Sequence, residues 1–290
     1  MKILVIGSGF LAVSIVQRLE SEGHDLLVYS RNRSAQIRCR QIEGDIFNFD
    51  EFLRVLEWKP QVIIHSAWIT TPGLYQNDLS NFKYAEFAIK LAESIAFSEV
   101  EHLVILGTCA EYGRQNGPST AGLTKPAPVS LYAEQKVAAY NAVRSILQDT
   151  DTRLTWARIF YPYGPNQDRK RLIPHLVLSL KNDETIQLSD ISSIHDWITT
   201  RDIASAISWI IENDLPIEID VGTSVGYTNL EILVTLKELL QNTTQNETNQ
   251  FHLVGLNEVF VVGRNSPLLR SGWLPQDSLD SGLDWILASW

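Results

Sequence analysis

Tyr132 and Lys136 stand four residues apart in Leu131-Tyr-Ala-Glu-Gln-Lys136, the opening of a helical pattern, so phenol and ammonium share one helix face. An ammonium there favours the phenolate and lowers the phenol from its ordinary pKa of about 10, preparing it to pass a proton near neutral pH. Thr108 closes the apolar run His102-Leu-Val-Ile-Leu-Gly107 and is placed to hydrogen-bond the same substrate oxygen. Together the three side chains outline a site that interconverts a carbonyl and an alcohol.

The elements that would position such a site begin at the first residues. Residues 2 to 6 are apolar and largely β-branched after Lys2, as in a buried parallel strand, and an amphipathic helix follows Gly7-Ser-Gly9-Phe10-Leu11-Ala12. This GxGxxA pattern cradles a dinucleotide: Gly7 for the turn, Gly9 for close approach to a pyrophosphate, Phe10 and Leu11 at the helix start, Ala12 for helix packing. The second strand, residues 25 to 29, ends in Ser30-Arg31-Asn-Arg33, where NAD-binding chains carry an acidic residue for the ribose. A hydroxyl beside guanidinium groups suits a 2′-phosphate, so the expected cofactor is NADP, with NAD as the alternative. Asp45 and Ile46 follow a third strand, at the expected adenine site. Ser66 and Ala67 end a fourth strand, at the carboxyl edge where open parallel sheets bind ligands, and His65 reads as a packed histidine.

A chain of 290 residues with 44% hydrophobic content suffices for one large unit of two interleaved lobes. It has no apolar run of membrane length and no signal-peptide pattern at its start, so a cytoplasmic protein is expected. A net charge of -10 argues against nucleic acid and anionic membranes as partners. Cys39 and Cys109 lie in no metal-binding spacing and read as thiols; no metal is expected. The polar segment 241–250 holds sequons at Asn242 and Asn246, which carry no meaning without a secretory signal.

Nine motifs in order give the chain a resemblance to the extended short-chain dehydrogenases/reductases of the NAD-dependent epimerase/dehydratase family, whose members act mostly on nucleotide-activated sugars. They include Gly7-x-Gly9-x-x-Ala12, Thr108-x-x-x-Tyr112-Gly113, Tyr132-x-x-x-Lys136, Arg158 to Pro165, His195-Asp196-Trp197 and Ser271-Gly-Trp273-x-Pro275. The resemblance implies a doubly wound parallel (Rossmann) α/β sheet with a smaller C-terminal α/β substrate lobe. Residues 1–165, with 200–224 returning, would form the dinucleotide-binding part, and 166–199 with 225–290 the substrate lobe. It further implies Tyr132 as acid/base, Lys136 as its partner and nicotinamide-ribose ligand, Thr108 as substrate donor, and a homodimer through helices 79–97 and 131–147.

Departures from the family narrow the chemistry. Cys109 and Ala110 replace the acidic pair with which sugar 4,6-dehydratases eliminate water, and Glu111 is one position off. Tyr161 stands where an asparagine often contacts the sugar nucleotide, His195 where an arginine is common, and Gly255-Leu-Asn-Glu258 lacks another arginine. Arg171, in a basic cluster with Arg169 and Lys170, is the candidate diphosphate ligand, with Arg201 and Arg264 as compensating cations. The expected function is an NADPH-dependent reductase of a nucleotide-linked keto-deoxysugar, acting at carbon 4. An epimerase that retains NAD and a non-enzymatic NADP-binding sensor are the alternatives.

Overall fold

The protein is described here by a computed structural model, covering residues 1–115, 117–241, 251–254, 259–264 and 266–290. The two sequons and the Gly255 to Glu258 motif lie outside the described residues.

The first half alternates strand and helix: β1 (Lys2–Ile6), α1 (Phe10–Ser21), β2 (Asp25–Ser30), β3 (Arg40–Glu43), α2 (Phe49–Leu56), β4 (Val62–His65), α3 (Ser80–Ile95), β5 (His102–Thr108), α4 (Leu131–Leu147) and β6 (Arg153–Ile159). Next come β7 (Tyr161–Tyr163), α5 (Leu172–Lys181), β8 (Ile186–Ser189), β9 (Ile194–His195), β10 (Trp197–Thr199), α6 (Thr200–Glu212) and β11 (Glu218–Val221). The chain closes with β12 (Tyr227–Thr228), α7 (Asn229–Gln241), β13 (Phe251–Val254), β14 (Phe260–Val261), α8 (Pro267–Arg270) and α9 (Leu279–Ser289). The observed α3 and α4 fall within two residues of the helices 79–97 and 131–147 expected from the sequence.

Seven strands form one parallel sheet in the order β11-β6-β5-β4-β1-β2-β3. Helices cover both faces, which is why its central strands are apolar throughout rather than alternating. Ile3, Val5, Val104 and Ala157 pack with α1 and α6 on one face. On the other, Leu4, Ile63, Leu103 and Trp156 pack with α2, α3 and α4. A second core, built from Tyr163, Leu176, Val177, Trp197, Leu236 and Ile286, holds the carboxyl-terminal lobe over the carboxyl edge of the sheet. Asp196 stitches this lobe down, accepting from Thr223 N–H and hydroxyl at 2.7 Å each and from Ser224 N–H at 2.9 Å. Among the described residues no helix is long and apolar enough to cross a membrane.

A buried ion pair fixes the turn that leaves β5. Thr108 caps the single helical turn Cys109–Tyr112, and its own N–H donates to Glu111 Oε1 at 2.8 Å. Glu111, fully buried, also accepts from Trp156 Nε1 at 3.0 Å and pairs with the equally buried Arg158 Nε at 2.7 Å. Gly107 is required at this point because a Cβ there would overlap Trp156 Nε1 and Glu111. Removing one charge of a buried pair strands the other, at a cost of about 3–5 kcal/mol. Glu111→Gln is therefore expected to lower the urea midpoint by a loss of that order. The double variant Glu111→Leu/Arg158→Met should lose clearly less than the sum of its single changes, read in a double-mutant cycle.

Candidate active site

The carboxyl ends of β1, β2, β4, β5 and β6 open into a cavity of about 840 Å³, roofed by the β7–α5 loop, α5 and Trp197. Gly7, Gly9, Phe10, Leu11, Ser30, Arg31, Asp45, Ile46, Ser66 and Ala67 line it, so ten of the expected cofactor residues converge. Gly7 adopts φ +110°, and a Cβ there would lie 2.7 Å from Ser66 Oγ, so this turn requires glycine. Gly9 caps α1 without a side-chain hydrogen bond, and no acidic residue occupies the first turn of that helix. Free first-turn N–H groups, helix dipole and open space over Gly9 fit a pyrophosphate.

At the tip of β2 the structure refines the expectation. The Ser30 hydroxyl donates to the Asn32 carbonyl at 2.8 Å, so its proton is already spent, while Arg31 stays exposed at the cavity wall. Arg33 turns away into an ion pair with Glu43 at 3.0 Å.

Thr108 and Tyr132 both line the cavity. Burial raises Tyr132 above its ordinary range, and the neighbouring Thr108 hydroxyl offsets only part of the effect. The expected lowering by Lys136 is not what dominates, because the amine is itself desolvated. Burial lowers Lys136 to about 7, against the opposing pull of Glu111. Its Nζ donates to the Leu106 carbonyl at 2.6 Å and lies 3.8 Å from the centre of the Trp68 ring. Lys136 is 3% exposed and does not line the cavity.

Of the substrate candidates, Tyr161 and Arg171 reach the cavity. Tyr161 stacks on His195 at 4.0 Å, and Arg171 bonds the Thr70 carbonyl at 2.7 Å with its guanidinium 5.0 Å from the Tyr75 ring. Arg201 and Arg264 do not line it. Arg201 is held by Asp277 at 2.6 Å and lies over Trp285, and Arg264 is exposed, its backbone N–H donating to Ser119. Trp68 and Tyr75, absent from the sequence reading, line the cavity and meet the Tyr132 ring edge-on at 6.4 and 5.0 Å. The available signal was position: an aromatic residue directly after Ser66-Ala67, at the ligand edge of the sheet.

A glycine-lined dinucleotide cradle on a doubly wound sheet, with threonine at the end of β5 and tyrosine and lysine on α4, defines an extended short-chain dehydrogenase/reductase. The model of the NAD dependent epimerase/dehydratase family matches residues 3–222, and the chain belongs to that family. It is 28% identical to the GDP-6-deoxy-D-talose 4-dehydrogenase of Aggregatibacter actinomycetemcomitans, over 93% of this chain and 90% of that protein. Identity to the UDP-glucose 4-epimerase of Lactobacillus helveticus is 24%, over 82% of each. The same fold is seen in the UDP-glucose 4-epimerase of Thermus thermophilus complexed with NAD, at TM-score 0.89 and 21% identity over 100% of this chain and 98% of that one.

The depressed Lys136 fixes the sign of a pH effect. Unfolded lysine titrates at about 10.4, so between about pH 7 and that value the unfolded chain binds more protons. Stability due to Lys136 thus rises with pH across this window, and the burial penalty is felt in full below it. Urea unfolding of the wild type and Lys136→Met from pH 7 to 10 is expected to show the wild type gaining on the variant as pH rises.

Proposed function

We propose that the protein is an NADPH-dependent reductase of a nucleotide-linked keto-deoxysugar, with carbon 4 as the reacting centre. The observation that carries this is the fate of Glu111. The one carboxylate in the turn after β5 is wholly buried and committed to Arg158, Trp156 and the Thr108 N–H, while Cys109 and Ala110 precede it. The turn therefore offers no acid/base group for eliminating water, and Tyr132 is left as the proton carrier beside Thr108. One proton site suffices for reduction, in which the reduced nicotinamide supplies the hydride. Thr108 and Tyr132 hydrogen-bond the carbonyl oxygen, and Tyr132 hands its proton to the oxygen as the alkoxide forms. A phenol raised by burial holds its proton at neutral pH, the state a reductase needs. The 28% identity with a 4-dehydrogenase of a nucleotide-linked 6-deoxysugar supports the same class and carbon.

Arg31 is the residue assigned to the 2′-phosphate, since it is the cation at the cavity wall beyond β2. Arg171 is assigned to the substrate diphosphate. The residues around the dinucleotide cradle form the cofactor part and those around α5, α7 and α9 the substrate lobe. The reading is of a cytoplasmic homodimer joined through α3 and α4, where Phe82 is 51% exposed. A 4-epimerase is the second reading, favoured by the similarity to the Lactobacillus enzyme, and it would use the same Thr108 and Tyr132.

Purified protein mixed with a panel of nucleotide 4-keto-6-deoxysugars is expected to consume NADPH faster than NADH, read as near-ultraviolet absorbance. Tyr132→Phe should lower the rate at least about 100-fold while NADPH still binds. Release of bound NAD on denaturation, with no reduced cofactor consumed, would instead favour the epimerase. Losing a charge-assisted bond to phosphate costs about 1.5–3 kcal/mol, so Arg31→Ala should raise the KM for NADPH about 10- to 100-fold and leave that for NADH nearly unchanged.

A further inference from the structure

Lys136 is fully enclosed, yet the contacts around its ammonium are unequal. One proton goes to the Leu106 carbonyl at 2.6 Å, and the indole face of Trp68 covers another side at 3.8 Å from the ring centre. Trp156 lies farther off, at 5.9 Å. The indole also lines the cavity, and the lysine does not. The indole is itself held hard. Its Nε1 donates to Asn81 Oδ1 at 2.7 Å, and Asn81, fully buried, donates in turn to the Tyr75 and Asp78 carbonyls at 2.7 and 2.8 Å. Tyr84 stacks on the indole at 5.6 Å, and the Tyr132 ring meets it edge-on at 6.4 Å.

We propose that Trp68 is a positioning residue of the active site: its π face replaces the water that Lys136 has lost, holding the amine protonated and fixed behind Tyr132. A cation over a desolvated indole is stabilised more strongly than at an exposed site, and tryptophan is the best of the aromatic faces. The need for such a face follows from the depth of the site, since burial brings the amine down to about 7, where half of it would be neutral at physiological pH. The titratable groups around the amine leave much of this task to the indole. Glu111, from the turn after β5, favours the charged amine but is shared with Arg158 of β6. His65, from β4, is held down to about 3 by burial and by Lys136 itself, and so stays uncharged. Tyr84 of α3 and Tyr132 and Tyr140 of α4 are raised by burial and stay neutral.

The role of the amine rests on the reductase reading, but the contact with Trp68 can be tested without turnover. Fluorinated tryptophans placed at position 68 alone keep the indole shape and its bond to Asn81 while draining the π face. With 13Cε-labelled lysine, the Lys136 signal, assigned by its loss in Lys136→Arg, is followed by NMR against pH. Each added fluorine is expected to lower the Lys136 midpoint, and Trp68→Leu to lower it by about one unit or more, with Trp68→Phe between. The pH limb of kcat for NADPH oxidation should move by the same amount. Midpoints that ignore fluorine number, or a rise in Trp68→Leu, would overturn the proposal. A midpoint that falls as expected in a protein that reduces no sugar would leave the positioning role standing and remove the reductase reading.

Discussion

The ion pair between Glu111 and Arg158 is the interaction on which the site depends. A carboxylate and a guanidinium, both without solvent, are tolerable only because each also has hydrogen-bonding partners. In meeting that need Glu111 takes the Thr108 N–H, and the catalytic threonine of the proposed mechanism is thereby fixed at the strand end. Structure and chemistry compete here for one carboxylate, and structure has it. Deprived of a second acid/base group after β5, the site is suited to moving one hydride and one proton.

Desolvation sets the electrostatics of the rest. Tyr132 rises and Lys136 falls for the same reason, the loss of water around a charged form. A pair read on a helical wheel as a simple cation beside a phenol is a more finely balanced arrangement once both are buried. The aromatic ring of Trp68 and the carbonyl of Leu106 then matter as much as the four-residue spacing.

Much of this was legible in the chain. The buried strands and the glycine cradle follow from composition and local motifs, because each depends on residues close in sequence, while the doubly wound sheet and the pairing of Thr108 with Tyr132 are what the family resemblance implied. Arg201 was expected near the substrate because a lone arginine gives no hint of its partner. Asp277, 76 residues away, takes Arg201, and only the folded chain brings them together. Lys136 was read as sharing a helix face with Tyr132, but its contact with an indole outside that helix was not foreseen. Trp68 was passed over because an aromatic residue after a buried strand looks like core, and its cation lies on α4, 68 residues further on.

The order of strands carries a cost during synthesis. The sheet's last strand, β11, pairs with β6 but is encoded only after β7, β8, β9, β10 and α6. Until residue 218 leaves the ribosome, β6 presents an unpaired edge built of Leu154, Trp156, Ala157 and Ile159, the kind of edge that invites pairing with another chain. Arg158 stands one residue from the end of that edge; its first carboxylate, Glu111, precedes it in the chain, and its second, Glu218, arrives with the first residue of the strand that closes the edge. The incoming strand thus brings its own ion pair to the edge it covers.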